Sequence, residues 1–214
     1  GIEFPSVINT ETYAHFIPYK DRLEVDKIKQ EFDFYKGQAS FNGDLLMQPT
    51  GLTGGGVMTL DKANVTADLF TYNAKWFGSE TADLDVFADG GSLAIKANNL
   101  RSYIDIETRE GIFNKNGDNS YVEFPVNQYV AYIDKLKWVM DEEVFTLGDE
   151  VAISSKGSEF ISVHPHQDSL NFIANTANYS LKDYIIHANG VEKIAVADAI
   201  IYPDSGIVTV EKKA

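Results

Sequence analysis

The chain contains no cysteine, which excludes disulfide stapling, thiolate metal sites and cysteine nucleophiles together. No apolar run approaches the roughly 20 residues that a membrane-spanning helix needs. The opening GIEFPSVINTE lacks both a basic segment and an apolar core, so no signal peptide is read there. Gly1 reads as an expression scar and Val210 to Ala214 as an unfinished end. The expectation is a piece excised from a longer protein. Basic residues are few, 18 Lys and Arg against 32 Asp and Glu. The resulting net charge of -14 argues against a nucleic-acid partner or an anionic membrane surface. With only four histidines, a His-rich metal site has few residues to draw on.

What is present is a globular composition with strand-forming aromatics. Hydrophobic residues make up 44% and charged residues 23%, which is not the balance of a disordered chain. The 13 Phe and 11 Tyr suit strands better than helices. A length of 214 residues can bury a sizeable core. Short apolar runs separated by turn signals recur along the whole chain, among them Phe32 to Met47, Leu93 to Ile95, Tyr103 to Glu107, Tyr121 to Phe124, Val151 to Ser154 and Ile207 to Val210. The Asn116-Gly117 step marks a hairpin tip. Two stretches also fit a helix. Ile28, Phe32 and Tyr35 share one helical face, and so do Tyr129, Ile133 and Leu136 within Asn127 to Trp138. A short helix is expected in the second, handing over to a hairpin near Lys135. The glycine-dense stretch Gln48 to Gly56 has no Gly-Lys-Ser/Thr and no helix behind it, so it reads as a turn or linker and not as a phosphate loop.

The stretch Val57 to Phe87 reads as strand, turn, strand, turn, strand, and Leu170 to Val191 echoes it. In both, an Ala and a Tyr precede a short polar step, an aromatic-led strand returns, and Gly78 or Gly190 lies near the next turn. Units anchored on Tyr35, Tyr72 and Tyr103 are spaced like stacked repeats. The phrases Thr66 to Phe87, Thr176 to Ile194 and Val196 to Val210 resemble the OstA-like repeats of bacterial lipopolysaccharide-transport proteins. Phe124 to Asp141 and Ser162 to Leu170 resemble repeats of large uncharacterised Bacteroidetes-type envelope proteins. The OstA-like resemblance implies an open, folded-over β-sheet, an apolar cleft between its faces, edges available for end-to-end strand pairing, and a periplasmic location. Neither resemblance brings a catalytic motif.

His164-Pro165-His166-Gln167-Asp168 is the one constellation with ligand chemistry. On an extended strand its two imidazoles would project to one side, followed by the carboxylate of Asp168. The bland reading is a surface loop shaped by Pro165. The carboxylates are too numerous for any pair to single out glycosidase chemistry, and Asn114 to Ser120 lacks the ordered spacing of a calcium loop. The aromatics Tyr72, Trp76, Tyr132 and Trp138 could line a carbohydrate platform, or they could fill the core. No Gly-x-Ser-x-Gly is present.

The resulting expectation is a single all-β domain over 1-214, with a possible sub-boundary near 148-158. Its turn-rich repeated short strands would form an elongated folded-over sheet or β-solenoid-like array with one short helix; a β-sandwich or jelly roll is the alternative. The expected function is a non-enzymatic structural or binding segment of a bacterial cell-envelope protein, periplasmic or surface-located, with no cofactor. Its partners would be neighbouring β segments of the parent protein, or envelope lipid or glycan. The alternative is a carbohydrate-binding module of a surface glycan-handling protein.

Overall fold

The computed structural model describes residues 3-27, 29-117, 120-148, 157-167 and 170-212. The chain is all-β, one large open antiparallel sheet folded over on itself. In order, the strands are β1 (Val7–Ile8), β2 (Thr12–Ile17), β3 (Arg22–Lys27), β4 (Phe32–Phe34), β5 (Ala39–Gln48), β6 (Gly51–Thr59), β7 (Ala63–Tyr72), β8 (Trp76–Phe87), β9 (Leu93–Asp105), β10 (Glu110–Lys115) and β11 (Val122–Phe124). They continue as β12 (Tyr129–Tyr132), β13 (Lys135–Val139), β14 (Val144–Leu147), β15 (Ser158–Ser162), β16 (Asn171–Ala174), β17 (Thr176–Ser180), β18 (Ile186–Asn189), β19 (Ile194–Val196), β20 (Ala199–Ile201) and β21 (Ile207–Val210).

The long strands β5 to β9 form a continuous meander and cross both halves of the fold. On either side of them the sheet divides into two limbs. One limb runs β2, β3, the C-terminal half of β5, then from the C-terminal half of β9 through β10, β13, β14, β17, β18 and β21. The other runs β1, β4, the N-terminal half of β5, then from the N-terminal half of β9 through β11, β12, β15, β16, β19 and β20. After β10 the chain lays hairpins alternately into the two limbs. Some crossings are very short: only Ile133 and Asp134 separate β12 from β13, and only Asn175 separates β16 from β17.

The glycine-dense stretch opens with the expected turn, at Pro49 and Thr50 between β5 and β6, but its glycines form the crease and not a linker. Gly54, Gly55 and Gly56 lie inside β6, where its register with β7 shifts. Gly43 of β5 pairs with Gly56. A Cβ on Gly43 would sit 2.1 Å from the Gly55 carbonyl oxygen, and one on Gly56 would sit 2.3 Å from that of Asn42. The fold therefore brings backbones too close for side chains. Gly78 is likewise inside β8 and not at a turn, whereas Gly190 does follow the end of β18.

No α-helix occurs among the described residues; the helical turns are 3₁₀, at Pro18–Lys20 and Tyr35–Gly37. The helix expected over Asn127 to Trp138 is instead β12 and β13. Tyr129, Ala131 and Ile133 are buried in one limb, and Leu136, Trp138 and Met140 in the other. Each set alternates with period two, and the crossing at Asp134 slips the phase by one residue. That slip turns strand alternation into the i, i+4, i+7 spacing of a helix face. Of the earlier helix-like stretch, Phe32 lies in β4 and Tyr35 in the 3₁₀ turn that follows it, with Ile28 outside the described residues, as is the strand expected over Val151 to Ser154.

The limbs face each other across one core. Phe124 of β11 packs on Tyr179 of β17 with ring centroids 4.9 Å apart, and Phe34 of β4 packs on Tyr72 of β7 at 5.0 Å. Trp138 and Phe145 stack at 5.3 Å and 9°. These side chains occupy the space in which the OstA-like resemblance implied an apolar cleft. A buried amide also joins the limbs: Asn127 Nδ2 donates to the carbonyls of Tyr184, Val210 and Glu211 at 2.8, 3.2 and 3.1 Å.

The repeat is visible in the turns. Arg109, Gln128, Glu143 and Tyr184 each end a turn in the left-handed region, with φ of 55, 59, 59 and 62°. The turns at Arg109, Glu143 and Leu181 stack in one limb, Met140 N–H donating to Arg109 O and Leu181 N–H to Glu143 O. Lys62 bridges this stack to the meander through Glu143 at 2.6 Å and Asp89 at 3.2 Å, and its hydrogen bonds to those two carboxylates raise its pKa to about 12.

Candidate functional site

The alternation of each strand decides which aromatic residues reach the surface. In β13, Leu136 and Trp138 point inward between Lys135, Lys137 and Val139, so Trp138 is buried. Its indole N–H has no hydrogen-bond partner among the described residues. Tyr72 ends β7 on the inward face, also buried and with a hydroxyl that has no partner among the described residues. Burial holds its pKa far above the ordinary value, with Tyr35 adding to the effect. Tyr72 and Trp138 are therefore core residues and cannot form a ligand platform. Tyr132 does reach solvent, 43% exposed, with Tyr121 beside it at 6.0 Å and 51°.

Trp76 begins β8, facing outward while Phe77 is buried. The residue it joins is Tyr103 of β9, 40% exposed, with ring centroids 5.3 Å apart and planes inclined by 34°. Tyr103 pairs with Gly78, where β8 and β9 approach too closely for a side chain. Over this face lies an open depression of about 610 Å³ with Trp76, Tyr103 and Leu69 among its apolar lining. Leu69 is itself 60% exposed. The same lining includes Glu80 and Arg101, where Arg101 Nε donates to Glu80 Oε2 at 2.7 Å. Partial burial raises the Tyr103 pKa, with Asp105 contributing through its charge and a hydrogen bond.

Tyr103 is not a counterpart of Tyr35 and Tyr72, which are both buried. The signal for its exposure was present: Arg101, Tyr103 and Asp105 alternate with Ser102, Ile104 and Ile106, and the second set is buried.

The His164 segment is the connection between β15 and β16, and it turns rather than extends. His166 N–H donates to His164 Nδ1 at 3.1 Å, and Gln167 N–H donates to the His164 carbonyl at 3.1 Å. The two imidazoles are 5.6 Å apart and inclined by 55°. Backbone already engages one ring nitrogen of His164. Asp168 lies outside the described residues. Among the described residues no three His, Asp or Glu side chains gather as a metal-binding group. A smaller hollow of about 290 Å³ lies over β16 and the Gly190 crossing, lined by Asn171, Ile173, Glu192 and Lys193 among others.

The ends of the folded sheet are a second surface feature. Residues 12-16 of β2 are exposed, with Tyr13 at 59% and Phe16 at 60%, and Tyr19 beyond it at 85%. At the other end all of β20 is exposed, with Ile200 at 55% and Ile201 at 50%, followed by Tyr202 at 69%. Neither strand carries a charged residue. Among the described residues no helix is long and apolar enough to cross a membrane. Searches against family models and against curated proteins returned no match for the chain.

Proposed function

We propose that the chain is a non-enzymatic structural or binding segment of a bacterial cell-envelope protein, periplasmic or at the surface, acting through its sheet faces and edges. The observation that carries this reading is the pair of bare apolar ends. Edge strands of soluble proteins are ordinarily blunted by charge, proline or a covering element, because their free N–H and C=O groups invite pairing. β2 and β20 have no charge, and each leaves apolar side chains exposed where the next hairpin of its limb would cover them. Further support comes from the folded-over architecture, in which alternating hairpins could be continued at either end by another β segment of the parent protein.

The test is in-cell photo-crosslinking in the native host, with a photoreactive residue at Phe16 or Ile200, combined with cell fractionation. The reading predicts an envelope location and cross-links to β-rich envelope segments from both positions. A cytoplasmic location, or no cross-link from either edge, would refute it.

A further inference from the structure

We propose that the depression between Trp76, Tyr103, Glu80 and Arg101 is a binding site for the pyranose rings of a neutral glycan. This goes beyond the edge-pairing reading and uses a different surface, the outer face of β7 to β10. Three observations carry it together. First, Trp76 and Tyr103 pack on each other on an outward sheet face, with ring centroids 5.3 Å apart and planes inclined by 34°, and with Tyr103 40% exposed the pair offers aromatic surface to solvent. A pyranose ring has an apolar C–H face that stacks on such surfaces, and burying that face against aromatic carbon is favourable for the same reason that burying any apolar area is.

Second, part of the lining of the same hollow is polar. Arg101 uses Nε on Glu80, and both side chains are well exposed. Planar carboxylate and guanidinium groups suit the paired hydroxyls of a sugar rim, and the Asn114 side chain lines the same hollow. Third, the volume of about 610 Å³ lies within the usual range of small-ligand sites, about 300–1,000 Å³. Gly78 is part of its lining and cannot be replaced cheaply, since a Cβ there would meet the Ser102 carbonyl at 2.4 Å. The excess of carboxylates, locally Asp68 and Glu80 and globally a net charge of -14, disfavours acidic sugars.

The test is binding of the purified chain to an array of neutral hexose and N-acetylhexosamine oligosaccharides, followed by titration of each hit. Trp76→Ala and Tyr103→Ala should each weaken binding by about tenfold or more, the loss of one stacked ring face. Arg101→Ala and Glu80→Gln are surface changes that leave the fold intact and should weaken binding as well. Trp138→Phe, in the core, should leave affinity unchanged. No neutral glycan bound by the wild-type chain would overturn the proposal. So would binding that survives Trp76→Ala or Arg101→Ala. Binding confined to acidic glycans would overturn the assigned ligand class.

Discussion

Replacing Asn127 should unfasten the two limbs. Its side chain is fully buried in the turn between β11 and β12, yet its contacts are with the opposite limb. Nδ2 is shared among three carbonyl oxygens, of Tyr184, Val210 and Glu211. The orientation of the amide follows from those acceptors, because the reverse would aim Oδ1 at three carbonyls. Asn127→Ala removes both donor hydrogens and strands the carbonyls in a site that water enters poorly. With a net value of about 1 kcal/mol per hydrogen bond and the added cost of stranded acceptors, the loss should be roughly 3 kcal/mol. For a chain of this length that corresponds to a drop in Tm of roughly 6–12 °C. Asn127→Asp should cost more than alanine at neutral pH, since it points a carboxylate at the same carbonyls. The assay is urea unfolding followed by far-UV circular dichroism, comparing midpoints at constant slope. A loss below about 0.5 kcal/mol for alanine, or an aspartate variant as stable as the wild type, would refute the claim that this amide ties the limbs.

Gly43→Ala should be among the most damaging single substitutions, because its Cβ would fall 2.1 Å from the Gly55 carbonyl at the crease; thermal melts should show it far below a surface control such as Thr66→Ala. Phe124→Ala removes a ring packed between the limbs and should cost about 3–5 kcal/mol, read by the same urea titration. Tyr179→Phe should be neutral or stabilising at pH 7, since it discards a buried hydroxyl with no partner among the described residues. The pH dependence has a definite sign. Burial raises the folded pKa of Tyr35, Tyr72 and Tyr179, so the folded chain holds its phenolic protons where the unfolded chain begins to lose them. Stability should be unaffected by these groups below the ordinary value of 10.0 and should fall as pH rises above it, less steeply in Tyr179→Phe.

The all-β architecture was legible because period-two alternation and turn residues recur along the whole chain. The folding-over was not derivable from those local signals, since it depends on backbones approaching at Gly43 and Gly56, and a glycine run reads equally as linker or crease. The helix expected near Tyr129 failed for a related reason: a one-residue phase slip at a limb crossing imitates helical spacing. At the candidate site, Trp76 was legible as an aromatic of interest, but its neighbour Tyr103 is separated from it by a hairpin and becomes a partner only through the register of β8 with β9. Tyr72 and Trp138 were distinguishable in principle, since strict alternation with lysines places Trp138 on the buried face of β13.

The claim that the sheet ends act by pairing with further strands is tested most directly by sedimentation velocity of the purified chain over a wide concentration range, beside the double variant Phe16→Lys, Ile201→Lys. Both positions are at least half exposed, so the substitutions leave the core untouched. The account predicts concentration-dependent growth of the wild-type chain and a monomer for the charged variant. A wild-type chain that stays monomeric throughout, or a variant that associates just as readily, would contradict it.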